Sequence, residues 1–397
     1  MKNLFLLTLL LSLFIWEGHS QEAASSEIQV SILTIGPGVN LYDKFGHSAF
    51  RVRQADIGLD EVYNYGTYDF NTPNFYGKFA KGELLYSLST APYQQFYRSY
   101  VAQNRSITEQ TLNLSPAQTN SLVAYLHWNK QAENRDYLYD FLFDNCATRI
   151  RDVLVTVLEE DLRYEDIEVE DPKTYRQLIQ QHVSWNSWGS LGMDLGIGAV
   201  TDVVAPIWDY QFLPEYVAEA ASLAKLDQPN GSQPLVSETK LLHGSDYDPL
   251  KADPFFGSPL FIFLVLALAI IWVTLKDQKS HKRSRWLDGA IFFLTGLVGS
   301  ILFFLWFGTQ HSTTVNNYNI LWGFPLSFLL FPLILRKKAP SWLARYTFLL
   351  LILLVLMVVH QFSGVQKFAP ALAPLLLALA YRYWYLYKNL KAMPTAP

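Results

Sequence analysis

The last third of this chain is almost continuously apolar, and no other feature constrains its fold as strongly. Five hydrophobic stretches run at about 259–275, 287–308, 320–335, 346–362 and 368–385. With their flanks, each is long enough as an α-helix, rising ~1.5 Å per residue, to cross roughly 30 Å of bilayer hydrocarbon. The loops set the orientation. The first carries Lys276, Lys279, Lys282, Arg283 and Arg285, and the third Arg336, Lys337, Lys338 and Arg345. The tail adds Arg382, Lys388 and Lys391, whereas the second and fourth loops hold only Lys367, with His311 and His360. Basic loops stay cytoplasmic, so the spacing predicts an all-α, five-helix membrane domain over 258–397 with a cytoplasmic C-terminus.

Residues 1–20 agree with that topology. Lys2 precedes an apolar run over 4–16, and Gly18-His19-Ser20 offers small residues for cleavage before Gln21. This reads as a secretory signal peptide, too short for a comfortable span, with an uncleaved anchor as the alternative. Residues 21–257 then form a periplasmic domain, and the protein sits in the inner membrane. A net charge of −4 gives no sign of a nucleic-acid partner. The single cysteine, Cys146, excludes an intramolecular disulfide and any multi-cysteine metal site, and no cofactor or metal is expected. An unpaired thiol in an oxidising compartment is a liability unless buried or used.

Cys146 lies in Asp144-Asn145-Cys146-Ala147-Thr148-Arg149. Asp144 or Asn145 can cap a helix over 147–158, with Ile150, Leu154, Val157 and Leu158 on one face. That puts Cys146 in a first helical turn, where free amides and the helix dipole favour a thiolate. Upstream, alternation predicts strands at about 28–34, 48–52, 62–70 and 84–90, an antiparallel meander. Ser115 and Pro116 open a helix to about Asn129, and Asp171 with Pro172 opens another. The stretch 188–198 is a loop or a membrane-surface contact. Residues 228–253 read as a linker, with a strand near 239–242.

A nucleophilic cysteine needs a base, and His47, opening a strand after Gly46, is the candidate. A third group should orient the ring. Asn64 and Tyr65 lie on the next strand, and alternation allows only one of them to face His47; Asn64 is favoured. Ser48, Asn145, Arg105 and Arg149 are candidate supporting or substrate-binding residues. Arg149 holds a phosphate or a structural ion pair, and Arg105 falls in a turn with Asn104. The bland alternatives are a buried hydrophobic cysteine and a hydrogen-bonded core histidine.

Gly46-His47-Ser48-Ala49-Phe50-Arg51-Val52, Tyr63-Asn64-Tyr65-Gly66, Asn104-Arg105-Ser106 and the Asn145-Cys146 motif resemble the DUF4105 periplasmic domain. That domain, followed by membrane helices, is similar to the Lnb-type lipoprotein N-acyltransferases of Bacteroidota. The order, histidine first and Asn-Cys later, also resembles the permuted NlpC/P60 group that includes lecithin:retinol acyltransferase. The fold class implied is α+β: a permuted papain-like domain with an antiparallel sheet, then the helical membrane domain. The resemblance implies acyl transfer from a phospholipid to the α-amine of a diacylglyceryl-cysteine lipoprotein through a Cys146 thioester. The partners are then the phospholipid donor, the diacylated lipoprotein acceptor and the membrane. Two other readings stand beside it: a cysteine hydrolase (a phospholipase or cell-wall amidase) using the same residues with water as acceptor, or a non-catalytic membrane sensor with a degenerate papain-like domain.

Overall fold

The computed structural model describes residues 27–165, 170–228 and 231–392; the leader expected at 1–20 lies outside them. Strands β1 (Gln29–Ile35), β2 (His47–Gln54), β3 (Leu59–Thr67) and β4 (Leu85–Pro92) form the antiparallel meander. β5 (Ile107–Leu112) returns beside β1, and β6 (Asp136–Leu138) closes the far edge on β4. The short strands β7 (Leu162–Arg163), β8 (Lys225–Gln228) and β9 (Gly231–Pro234) make a separate sheet, and β10 (Val236–His243) pairs with β5. The main sheet therefore runs β10-β5-β1-β2-β3-β4-β6. Within the stretch read as a linker, the strand expected near 239–242 is present and longer, as β10, held by the open β5 edge whose unpaired backbone groups need partners, and β9 is a further strand, paired with β8.

Both sheet faces are covered. Alternate residues Val30, Ile32, Phe50, Val52, Tyr63 and Tyr65 pack with one helix set, and Leu33, Ile35, Ala49 and Val62 with another. Of the helices α1 (Phe75–Lys81), α2 (Tyr93–Val101), α3 (Pro116–Asn129) and α4 (Cys146–Leu158), the sequence pattern predicts α3 and α4. α3 has the expected Ser115 cap and Pro116 at its first position. α4 buries Ile150, Leu154 and Leu158 against the first face, while α2 supplies Tyr93 and Phe96 to the second.

Three more helices follow: α5 (Tyr175–Gln180), α6 (Trp188–Gly196) and α7 (Pro214–Leu223). α5 opens at Tyr175 under a Thr174 cap, not at Asp171 and Pro172, because Thr174 and Gln177 form a reciprocal capping box. α6 replaces the loop expected at 188–198. Its three glycines weaken a helix, but Leu191 packs into the membrane-domain core, and tertiary burial overrides propensity.

The second body contains α8 (Pro259–Ser280), α9 (Arg285–Phe307), α10 (Leu326–Ile334), α11 (Leu343–Ser363) and α12 (Ala373–Lys391). Among the described residues, four segments are long and apolar enough to cross a membrane: α8, α9, Ser312–Ile334 and α11. The third is regular α-helix only over α10 and enters through 3₁₀ turns. α12 packs beside α8 and α11 but is more polar; its Arg382 is fully buried against Asp277 and Asp288. Leu268, Leu294, Val355 and Leu377 are exposed on the outside of the bundle, the reverse of a helix facing water.

Hydrogen bonds join the two bodies. The last turn of α6 leaves carbonyls without helical partners, and Asn317 Nδ2 donates to Leu195 O at 2.7 Å and Gly196 O at 3.0 Å. Asn319 Nδ2 donates to Asp194 O at 2.8 Å, and the Lys367 amide to Asp202 at 3.1 Å. The sheet domain thus sits on the loops around 308–325 and 363–368. Arg283 bonds Ile334 O and Arg336 O, so the basic first and third loops meet each other.

Candidate active site

Cys146 is the first residue of α4 because Asn145 stops the chain there. Asn145 is extended, and its Oδ1 accepts from the Ala147 amide at 2.8 Å and the Thr148 amide at 3.0 Å. Thr148 Oγ1 accepts in return from the Asn145 amide at 2.7 Å. The Asn145 side-chain amide donates to Phe141 O and Phe212 O, which fixes the helix start against two loops. The Cys146 amide is the first-turn donor that this cap does not use. Asp144, the other expected cap, instead holds Arg149 in a two-pronged pair at 2.5 and 2.6 Å.

His47 begins β2, next to the β1–β2 loop. Alternation sets it with Ala49, and Asn64 with Val62, on the α2 side of the sheet. Its ring stacks on Tyr100 of α2 with centroids 6.2 Å apart. His47 Nε2 meets Asn64 Oδ1 at 2.5 Å, which leaves Nδ1 for the sulfur. The sheet ends at this point. The β3–β4 pairing slips between Asn64 and Thr67, and Gly66 takes φ +86°, a left-handed conformation that favours glycine. A Cβ on Gly66 would stand 3.4 Å from Cys146 Cβ. The helix start therefore reaches round the sheet end to meet groups mounted on the other face.

The two titrating groups polarise each other. Burial pushes the Cys146 thiol up, but the His47 charge and hydrogen bond and the Ser48 and Ala147 amides bring it below the ordinary thiol value. Burial works against a charged His47, but Cys146 and the Asn64 hydrogen bond outweigh it despite nearby Arg105, and its pKa is raised. Both directions favour a thiolate–imidazolium pair, the reactive form of a cysteine nucleophile. Among the described residues, no three His, Cys, Asp or Glu side chains cluster as metal ligands.

Cys146, His47, Asn64, Asn145 and Arg105 line one cavity of about 690 Å³, within the range of small-molecule sites. Its other walls are mainly aromatic, including Tyr68, Phe70, Tyr100 and Phe141. Arg105 is buried: Nε donates to Gly36 O at 2.9 Å, Nη1 reaches Asp43 at 3.0 Å, and the guanidinium lies over Tyr100. Ser48 contributes its backbone amide to the sulfur, while its hydroxyl is buried without a partner. Two residues grouped with the site by sequence are placed elsewhere. Tyr65 points into the core and donates to Asn129 Oδ1 at 2.6 Å, since it faces opposite to Asn64. Arg149 lies over Tyr137 and pairs with Asp144 outside the cavity wall. The sequence reading missed Tyr100, Tyr139 and Gly66; only the position of Gly66 beside Asn64 hinted at a break in the strand.

The fold and site together define a class: a membrane protein whose α+β domain brings Cys146, His47 and Asn64 together at one cavity. The chain matches the family model for the Lnb N-terminal periplasmic domain over residues 17–181 and that for the Lnb transmembrane domain over residues 251–392. It belongs to the Lnb-type lipoprotein N-acyltransferase family. No curated protein and no solved structure matches it.

Proposed function

We propose that this protein moves an acyl chain from a phospholipid to the α-amine of a diacylglyceryl-cysteine lipoprotein, at the outer face of the inner membrane. The observation that carries the reading is the Cys146–His47–Asn64 array opening into an aromatic-walled cavity, in a domain bonded to the loops between membrane segments. Family membership supports the same reaction class.

The Cys146 thiolate attacks the ester carbonyl of the donor. The Cys146 amide, left free by the Asn145 cap, is placed to stabilise the resulting oxyanion. Collapse breaks the ester C–O bond; the leaving lysophospholipid oxygen takes the His47 proton, and a thioester remains. The acceptor amine attacks that thioester, His47 takes a proton from the nitrogen, and the amide forms as the thiolate leaves. Asn64 holds the ring so that Nδ1 serves both steps. Both substrates are lipid-borne, so confinement to the bilayer surface raises their effective concentration.

The same reading takes α12 as a fifth span, with the basic first and third loops and the C-terminus in the cytoplasm. The domain contacts at the second and fourth loops support that orientation. The test is the lipoprotein pool in cells carrying Cys146→Ala or Cys146→Ser. Diacylated lipoprotein is expected to accumulate in both, and full triacylation in both would refute the scheme. Labelled phospholipid assayed with and without a diacylated lipopeptide separates transfer from hydrolysis: a hydrolase releases fatty acid at the same rate in either case.

A further inference from the structure

Two exposed apolar lips flank the catalytic cavity. One is the loop between β1 and β2, where Val39 is 73% and Tyr42 77% exposed. The other runs from the end of β3 through α1, where Phe70 is 67% and Tyr76 80% exposed. The second lip is a self-packed aromatic cluster: Tyr68 and Phe70 rings lie 5.1 Å apart, and Phe70 and Phe75 rings 4.9 Å. Leu41, Tyr42, Tyr68 and Phe70 also line the cavity, so the groove between the lips leads to Cys146.

Both lips are tied to the membrane domain. On the α1 side, the Gln310 amide donates to Lys81 O at 2.8 Å, and His311 Nε2 sits 3.1 Å from Phe79 O. On the other side, Leu41 packs against Gly189 of α6, and neighbouring Trp188 donates to Gly257 O at 2.8 Å, just before α8. The lips therefore stand where the membrane segments emerge. Lys78 and Lys81 on α1, beside Tyr76 and Phe79, complete the aromatic and basic composition of an interfacial anchor.

We infer that the two lips dip into the outer leaflet and pass a lipid acyl chain between them to Cys146. This rests on the lipid-donor reading above and specifies how that donor reaches the sulfur without its chain crossing water. Exposed aromatic surface of this kind, continuous with a lipid-facing bundle, is costly in water and favourable about 5–10 Å into the headgroup boundary.

The lone cysteine makes the test direct. In the Cys146→Ser chain, Val39→Cys, Tyr76→Cys and Ile57→Cys each give one labelling site. Ile57 is exposed beyond the far end of β2, about 25 Å from His47 along the strand. The full-length proteins, labelled with a fluorophore, go into phosphatidylcholine–phosphatidylglycerol vesicles holding lipids with a nitroxide near the headgroup. Labels at 39 and 76 are expected to be quenched and the label at 57 to stay bright; equal quenching at all three sites overturns the proposal. With Cys146 restored, Val39→Asn with Tyr76→Asn is expected to slow labelling of Cys146 by a bilayer-borne, long-chain iodoacetamide about tenfold while water-soluble iodoacetamide reacts as before. Equal effects on both reagents, or none, would mean the lips do not guide lipid. Neither assay requires acyl transfer. Inserted lips on an inactive protein would count against the acyltransferase reading alone, and shallow labels on an active one against the lips alone.

Discussion

Replacing His47 by Asn removes the partner that most favours the Cys146 thiolate while leaving a polar side chain at the start of β2. Burial then acts on the sulfur with only the Ser48 and Ala147 amides opposing it. The lost contact is a hydrogen bond between charged groups, a class that contributes about 1.5–3 kcal/mol, or roughly a 10- to 150-fold change in the thiol–thiolate equilibrium. The thiolate is the species that alkylates. The rate of Cys146 modification by iodoacetamide at neutral pH is therefore expected to fall by about 10- to 100-fold. Its pH profile should also move. In the native chain, reactivity persists below the ordinary thiol range and disappears as pH falls through the lowered Cys146 pKa; in the variant it disappears at higher pH. Because the chain holds one cysteine, adduct mass read against time reports this site alone. An unchanged rate and an unchanged profile in His47→Asn would refute the pairing, and with it the proposed nucleophile.

Asn64→Ala removes the oxygen 2.5 Å from His47 Nε2, so acyl transfer should drop about 10- to 100-fold while iodoacetamide reactivity falls less than in His47→Asn; transfer assays and adduct kinetics together check this. Gly66→Ala imposes a side chain at φ +86° and a carbon 3.4 Å from Cys146 Cβ. It should cost about 1–2 kcal/mol, seen as a thermal midpoint a few degrees lower, with slower Cys146 modification. Arg382→Met leaves Asp277 without its cation and Asp288 with only Arg283 at 3.6 Å, and should cost about 3–5 kcal/mol in detergent melts. Adding Asp277→Asn and Asp288→Asn to it should recover part of that loss.

The parts of this molecule legible in the sequence are those whose signals are local. Apolar runs disclose the bundle because a span must match the bilayer over consecutive residues, and Ser115-Pro116 marks α3 because a cap acts within four residues. Asn145 and Cys146 are readable for the same reason. Strand alternation also separates Asn64 from Tyr65, and the structure turns one toward His47 and the other toward Asn129. What the sequence hides depends on distant partners. α6 is a glycine-containing segment of weak propensity; it is helical because Leu191 finds the bundle core and Asn317 and Asn319 satisfy its last carbonyls. α12 carries an arginine that lowers its apparent fitness for a membrane, yet that arginine is neutralised by Asp277 and Asp288 from α8 and α9, residues that hydropathy also counts as penalties. Arg283, 3.6 Å from Asp288, completes two cations against two anions; each charge is tolerable only because the others are present, so a scale that scores residues singly must misjudge all four. The candidate site combines both cases. Its residues are written in short motifs, but β2 and α4 meet round a sheet end where the β3–β4 pairing slips and Gly66 takes a positive φ, a break that becomes informative only once the sulfur stands beside it.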